Sequence, residues 1–274
     1  MMRTTHSLIL SVLLVFAVGC EQTPKALVAK AERYAAEQDY ESGLKIYLKA
    51  YESAREDQVH SAELVVIIDK ILETYRLYDP KSPDREKWYL IKRLKSDDFV
   101  SAQKEYIRYL AEEKNDDKRV ISESQKTLSF DLSYNDRCEI VYYLSSSLLQ
   151  EKQIDSAASE LEVCLGNIPI DKKLSFKLRQ LELDILSLKQ EWLTLLDRTR
   201  LMIESFPEFN SEHQLEWIYV NTLEQLGKWE ECEEWLRRLG AEGQLESAYV
   251  QFRLRRIEFK KQNSPGARLR KTKN

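Results

Sequence analysis

Glycine is scarce in this chain: seven among 274 residues, at Gly19, Gly43, Gly166, Gly227, Gly240, Gly243 and Gly266. A loop that cradles phosphate needs glycines close together, so that backbone N–H groups stand bare toward the ligand, and these seven never cluster. Histidine is scarcer still. His60 and His213 have acids three or four residues away but no second histidine or cysteine nearby to complete a ligand set, and so few histidines build no Ser-His-Asp or Cys-His arrangement. The acidic pairs Asp97-Asp98, Asp116-Asp117, Glu230-Glu231 and Glu233-Glu234 read as solvated helix ends and faces. Glycosidase chemistry needs two carboxylates fixed across a cleft, which adjacency in sequence does not provide. The expectation is a protein that is not an enzyme and holds no metal. Val-Thr alternation bounded by turn residues is missing too. The one long apolar run, residues 8–18, rises only about 16 Å as a helix, roughly half of a bilayer's hydrocarbon core.

What the chain has in plenty is helix former. Leu, Glu, Lys, Ala and Gln dominate, and an apolar fraction of 43% is enough to bury a core rather than leave a disordered chain. The expected class is all-α. This length accommodates one or two ordinary domains, or a single elongated array. The net charge of −4 is unevenly spread: residues 1–19 carry +1, residues 251–274 carry nine basic side chains against Glu258, and the stretch between carries −13. An acidic body ends in a basic tail.

Arg3 precedes the apolar run, which ends in Ala17-Val18-Gly19-Cys20. A cationic start, a short apolar stretch and small residues before a cut site are the features of a secretory signal. The ending resembles the lipobox of bacterial lipoproteins, in which a peptidase cuts just before a cysteine already carrying diacylglycerol. That resemblance implies a signal peptide over residues 1–19, Cys20 as the acylated first residue of the mature chain, and a lipidated tether over residues 20–25. The covalent lipid on Cys20 is then the only cofactor expected. The other reading is an ordinary signal cut near Gly19, with Cys20 an incidental thiol. Several acyl chains, at about 0.8 kcal/mol per buried CH₂, make such an anchor permanent. In enteric lipoproteins an Asp after the cysteine holds the protein in the inner membrane. Glu21 stands there instead, so the expected location is the cell envelope, at the periplasmic face of the outer membrane rather than the inner.

Beyond the tether, two helical patterns lie between Cys138 and Pro169: Val141, Leu144, Ser145 and Leu148 in the first, Ala157, Leu161 and Cys164 in the second. Leu27, Ala31 and Tyr34, the turn Gln38-Asp39, then Tyr40, Gly43, Tyr47 and Ala50 form another copy. The second-helix signature is a bulky residue after a polar turn, followed by contact residues three, seven and ten positions on. It recurs as Tyr40-Gly43-Tyr47-Ala50, Phe99-Ala102-Tyr106-Tyr109, Ile154-Ala157-Leu161-Cys164, Trp192-Leu195-Thr199-Met202 and Trp229-Cys232-Leu236-Leu239. This spacing resembles the tetratricopeptide repeat, whose units cannot bury their own apolar faces and must stack. The resemblance implies a TPR-like α-solenoid of about six stacked antiparallel helix pairs over residues 26–262, followed by a basic tail over residues 263–274. The copies are separated by 59, 55, 38 and 37 residues, so the array reads as irregular. The long gaps hold extra helix candidates at residues 61–78 and 119–130, and Pro80 and Pro83 break the chain between the first of these and Trp88. The last helix is expected to turn Arg253, Arg255, Arg256, Lys260 and Lys261 outward, as a polar cap on the stack.

Three cysteines follow Cys20. Cys138 begins one helix and Cys164 ends its antiparallel partner, which leaves two readings: a disulfide, or two buried small side chains. Cys232 occupies a small-residue packing slot. Of the aromatics, Trp192 and Trp229 fit packing slots, whereas Tyr142 and Tyr143 are adjacent on one helix, so at most one turns inward. The basic tail reads as a solubilising edge, as a clamp on the protein's own acidic surface, or as a contact for anionic lipid. Nucleic acid is not an expected partner, since the tail lacks the aromatic interleaving of single-strand binders. Together these features imply a membrane-anchored scaffold for an unidentified protein partner, in cell-envelope assembly by family resemblance. The alternative is a structural surface lipoprotein with no dedicated partner, its groove filled by its own tail.

Overall fold

The computed structural model describes residues 23–57, 59–166, 171–209, 215–243 and 247–263, and among these the fold is all-α. The chain forms two compact units that meet in sequence at Tyr109 and Leu110. The first holds α1 (Pro24–Ala36), α2 (Tyr40–Glu56), α3 (Ser61–Tyr78), α4 (Asp84–Lys95) and α5 (Phe99–Tyr109). The second opens with a π-helical turn, Leu110–Lys114. It continues through α6 (Asp117–Leu128), α7 (Tyr134–Gln150), α8 (Ile154–Leu165), α9 (Lys172–Leu188) and α10 (Trp192–Ser205), then a 3-10 turn at Pro207–Phe209, α11 (Leu215–Gln225), α12 (Trp229–Ala241) and α13 (Ser247–Asn263).

Short polar side chains start many of these helices. Thr23, Asp39, Asp116, Ser133 and Asp171 each accept a hydrogen bond from a backbone N–H of the first turn they precede, which satisfies a donor the helix itself cannot. Thr23 with Pro24 opens α1 inside the expected tether. Four three-residue turns share one geometry. Gln38, Lys152, Gln190 and Gly227 have φ of 62°, 61°, 59° and 68°, and each N–H bonds the carbonyl three residues back, while the next N–H reaches five back. This is the Schellman end of a helix, which reverses the chain in so few residues that the following helix must run back along the first. Only Gly227 adopts that φ without crowding a Cβ.

Asn115, at φ 51°, follows the π-helical turn, and the next N–H, of Asp116, bonds the Leu110 carbonyl six residues back. No left-handed residue lies in residues 96–98 before Phe99, and Phe99 itself is exposed, so the turn ahead of α5 lacks the geometry that precedes α2, α8, α10 and α12. A four-then-three spacing of core-facing residues recurs on α2, α4, α6, α8, α10 and α12. Their contact residues are Gly43, Tyr47 and Ala50; Arg85, Tyr89 and Lys92; Val120, Ser124 and Thr127; Ala157, Leu161 and Cys164; Leu195, Thr199 and Met202; Cys232, Leu236 and Leu239. All of them are buried. Successive first members are 42, 35, 37, 38 and 37 residues apart. α5 carries the same spacing in Ala102, Tyr106 and Tyr109, also buried, whereas the expected pattern passed over α4 and α6, whose positions hold Arg, Lys, Ser and Thr among apolar residues.

In the first unit α1 crosses α2 at Gly43, where a Cβ would stand 3.4 Å from the Ala31 carbonyl oxygen, so a larger side chain would push the helices apart. Trp88 meets Tyr51 edge-on at 4.9 Å, and Tyr89 stacks on Tyr109 at 4.5 Å. The Lys92 ammonium lies 2.6 Å from both Asp69 of α3 and Glu105 of α5, tying three helices through one cation. In the second unit three cores follow one another along the chain. Leu144, Leu148, Ala157, Leu161, Leu178 and Ile185 join α7, α8 and α9. Phe176, Leu183, Leu195, Met202 and Leu215 join α9, α10 and α11. Leu196, Tyr219, Leu223, Leu236, Val250 and Ile257 join α10 through α13. Each such side chain contributes about 1.5 to 3 kcal/mol on burial, and α9 serves two cores with two of its faces.

Candidate functional site

Cys20 lies outside the described residues, as do Pro169, His213 and the tail beyond Asn263. Among the predicted packing residues, Gly43, Tyr47, Ala50, Ala102, Tyr106, Leu148, Ala157, Leu161, Cys164 and Cys232 are buried, and Tyr34, Trp192 and Trp229 are half-buried. Tyr143 turns inward and donates to Glu112 at 2.9 Å, while Tyr142 stays half-buried. Cys138 and Cys164 form a disulfide whose Cα atoms are 5.6 Å apart, joining α7 to α8 inside their shared core.

Beside that bond α8, α9 and α10 leave a groove. A cavity of about 200 Å³ is lined by Leu165, Leu178, Leu201, Met202 and Phe206, with Arg179, Glu182 and Arg198 at its side. A second opening of about 500 Å³ shares Leu165, Arg179, Glu182 and Arg198 with it, so the charged trio stands where the two adjoin. The Glu182 carboxylate takes Arg179 Nη1 at 2.9 Å and Arg198 Nε at 3.2 Å, and its side chain is only 13% exposed. Arg179 also donates through Nη2 to the Leu165 carbonyl at 3.0 Å, a carbonyl in the last turn of α8 that has no helical N–H to receive. At the smaller cavity two guanidinium groups stand against one carboxylate, whereas the adjoining opening adds Glu162, Lys189 and Glu191 and is balanced in charge; Leu201, 50% exposed, offers an apolar lip. Such a groove suits an extended segment with an apolar side chain for the cavity and a carboxylate or carbonyl for the arginines. Sequence patterns did not single out Arg179, Glu182 or Arg198, because the trio spans two helices and converges only after folding.

The last helix departs from expectation. Four of its five basic residues meet acids: buried Arg253 bonds Glu224 and Asn221, Arg256, though 47% exposed, and Lys260 each reach Glu224 at 3.1 Å, and Lys261 lies 3.0 Å from Glu233 and 3.2 Å from Glu230. Of the predicted outward set, Arg255 is fully turned out without an ion pair, and the outer side carries Phe252 and Phe259. Acidic side chains on α11 and α12 attract the cations more strongly than solvent does once Val250 and Ile257 have docked the helix.

Cys232 is the one free cysteine among the described residues, fully buried, its thiol pushed up to about 12 chiefly by burial and then by the Glu224 charge. A thiolate is the reactive form. Cys232 should therefore resist aromatic disulfide reagents in the native protein and react at once in denaturant, as a thiol titration in both states will read.

Among the described residues no group of three His, Cys, Asp or Glu is placed to hold a metal ion, and no helix is long and apolar enough to cross a membrane. No protein-family model matches the chain, and no curated protein matches it in sequence.

Proposed function

We propose that the chain is a lipid-anchored scaffold of the bacterial cell envelope, acylated at Cys20 and held at the periplasmic face of the outer membrane. Its TPR-like helix pairs present a protein partner with the groove between α8, α9 and α10. The observation that carries the reading is that groove, an apolar cavity of about 200 Å³ flanked by Arg179 and Arg198, a form suited to gripping a peptide segment. The lipobox-like ending at Cys20 supports the anchor. The recurring reversal and contact spacing support kinship with tetratricopeptide units, at a period a few residues longer than that family's 34. The disulfide supports a compartment that oxidises thiols. Partner binding, rather than catalysis, is the role these features fit.

Two measurements in cells test it. Cys20→Ala should abolish incorporation of labelled palmitate and move the protein from the membrane pellet to the soluble fraction; unchanged fractionation would sink the anchor. A photoreactive residue at position 201 should crosslink to a discrete protein, and Arg179→Glu should weaken that product about tenfold by reversing the rim charge. Equal crosslinking from position 201 and from the outer side of α12 would sink the groove as the binding seat.

A further inference from the structure

The outward face of α13 has an order of its own. At about 100° per residue, Phe252 and Phe259 fall at its centre, Arg255 about 60° to one side, and Arg256 and Tyr249 about 40° and 60° to the other. Phe252 is 60% exposed and Phe259 68%. The helix has one acid, Glu258, and it stands about 120° away from Phe252. The opposite side is fixed: Val250 and Ile257 sit in the core with Leu236, and Arg253 is clamped by Glu224 with its guanidinium 5.3 Å from the Trp217 ring. The face is thus presented by a helix that cannot roll to hide its phenylalanines.

We infer that this face of α13 rests on an anionic phospholipid surface, with Phe252 and Phe259 entering the boundary between headgroups and acyl chains and Arg255 bonding a lipid phosphate. An aromatic centre beside Arg255, which bonds no acid among the described residues, with Arg256 half-exposed on the other side and held by Glu224, supplies what an interfacial helix requires: apolar rings to leave water, and positive charge at headgroup depth. A second copy fits the face poorly, because a two-fold contact through α13 brings each arginine against its own kind. The tail sequence adds Arg268, Arg270, Lys271 and Lys273 without an acid, so the charge continues in the same sense. This contact does not depend on Cys20. It would hold the array against the bilayer at a second point, whether or not the first residue is acylated.

The test uses a chain beginning at Glu21, which keeps every described residue and lacks the anchor, in sedimentation with vesicles. It should pellet with vesicles containing phosphatidylglycerol and stay in solution with pure phosphatidylcholine, and salt should release it. Phe252→Ser with Phe259→Ser should weaken binding about tenfold, and Arg255→Gln about fivefold, one cation's share near an anionic surface, each with an unchanged circular dichroism spectrum. As a measurement independent of those variants, a nitroxide at position 252 should become accessible to oxygen and shielded from an aqueous nickel complex on vesicle addition. Three results overturn the inference: no preference for anionic vesicles, binding indifferent to the phenylalanine pair, or a light-scattering dimer that the same pair dissociates, which would assign the face to a second copy.

Discussion

Glu224→Gln should lower the melting temperature by about 10 °C, because it strands a guanidinium in the interior of the second unit. The Glu224 side chain is 4% exposed and that of Arg253, its buried partner, 7%. Removing one member of such a pair costs about 3 to 5 kcal/mol, since the remaining charge keeps its desolvation and loses its compensation. Arg256 and Lys260 bond the same carboxylate but are 47% and 39% exposed, so they can swing into water. Arg256→Ala and Lys260→Ala should therefore cost under about 1 kcal/mol each. Equal losses from all of these variants in thermal unfolding would refute the central place given to Glu224. Acid adds a second signature. Burial alone would push the Glu224 carboxyl up, but the Lys260 hydrogen bond and the charges of Arg253, Arg256 and Lys260 outweigh it and hold the group below its ordinary range. A carboxylate held low in the native state contributes stability that is fully present above the unfolded value of about 4.3 and is lost as pH falls through the native one. The parent should lose melting temperature below about pH 4 more steeply than Glu224→Gln, which lacks that titration.

The same cluster shows how far a sequence can be read. The all-α class was legible from composition, and the α1–α2, α7–α8 and α11–α12 pairs from polar turns followed by contact residues at three, seven and ten. The buried positions of α4 and α6 were not, for a physical reason. Arg85 and Lys92 occupy buried slots by bonding the Pro80 carbonyl and the carboxylates of Asp69 and Glu105, and Ser124 and Thr127 fill theirs with side chains that look like surface. A rule that sends apolar residues inward misses slots filled in this way. It also inverted α13, where Phe252 and Phe259 make one stripe and Arg253, Arg256 and Lys260 another. The core seat of Val250 and Ile257 and the acids on α11 and α12 together decide which stripe turns in, and those acids lie about thirty residues away in the chain. The groove trio of Arg179, Glu182 and Arg198 was illegible in the same sense, being assembled from two helices.

Reducing the Cys138–Cys164 bond should cost the second unit about 3.5 kcal/mol, again about 10 °C in melting temperature. The bond spans 26 residues, and restricting a loop of that size lowers the entropy of the unfolded chain by an amount between those for shorter and longer loops. Cys138 and Cys164 are both at most 1% exposed, so a reductant added to the native protein should act slowly, waiting on local opening, and quickly in denaturant. Cys138→Ala with Cys164→Ala should be destabilised somewhat further, because two missing sulfurs also leave a void among Val141, Leu144, Leu161 and Leu178. Identical melting of the oxidised and reduced forms would show that helix packing alone fixes α7 on α8. The effect should extend to the groove, since Cys164 lines its cavity and the Tyr134 hydroxyl donates to the Cys164 carbonyl at 3.1 Å. Loosening the end of α8 releases Leu165, whose carbonyl holds Arg179 in place. Crosslinking from position 201 should therefore fall in the reduced protein before the unit melts, which would make the groove dependent on an oxidising surrounding.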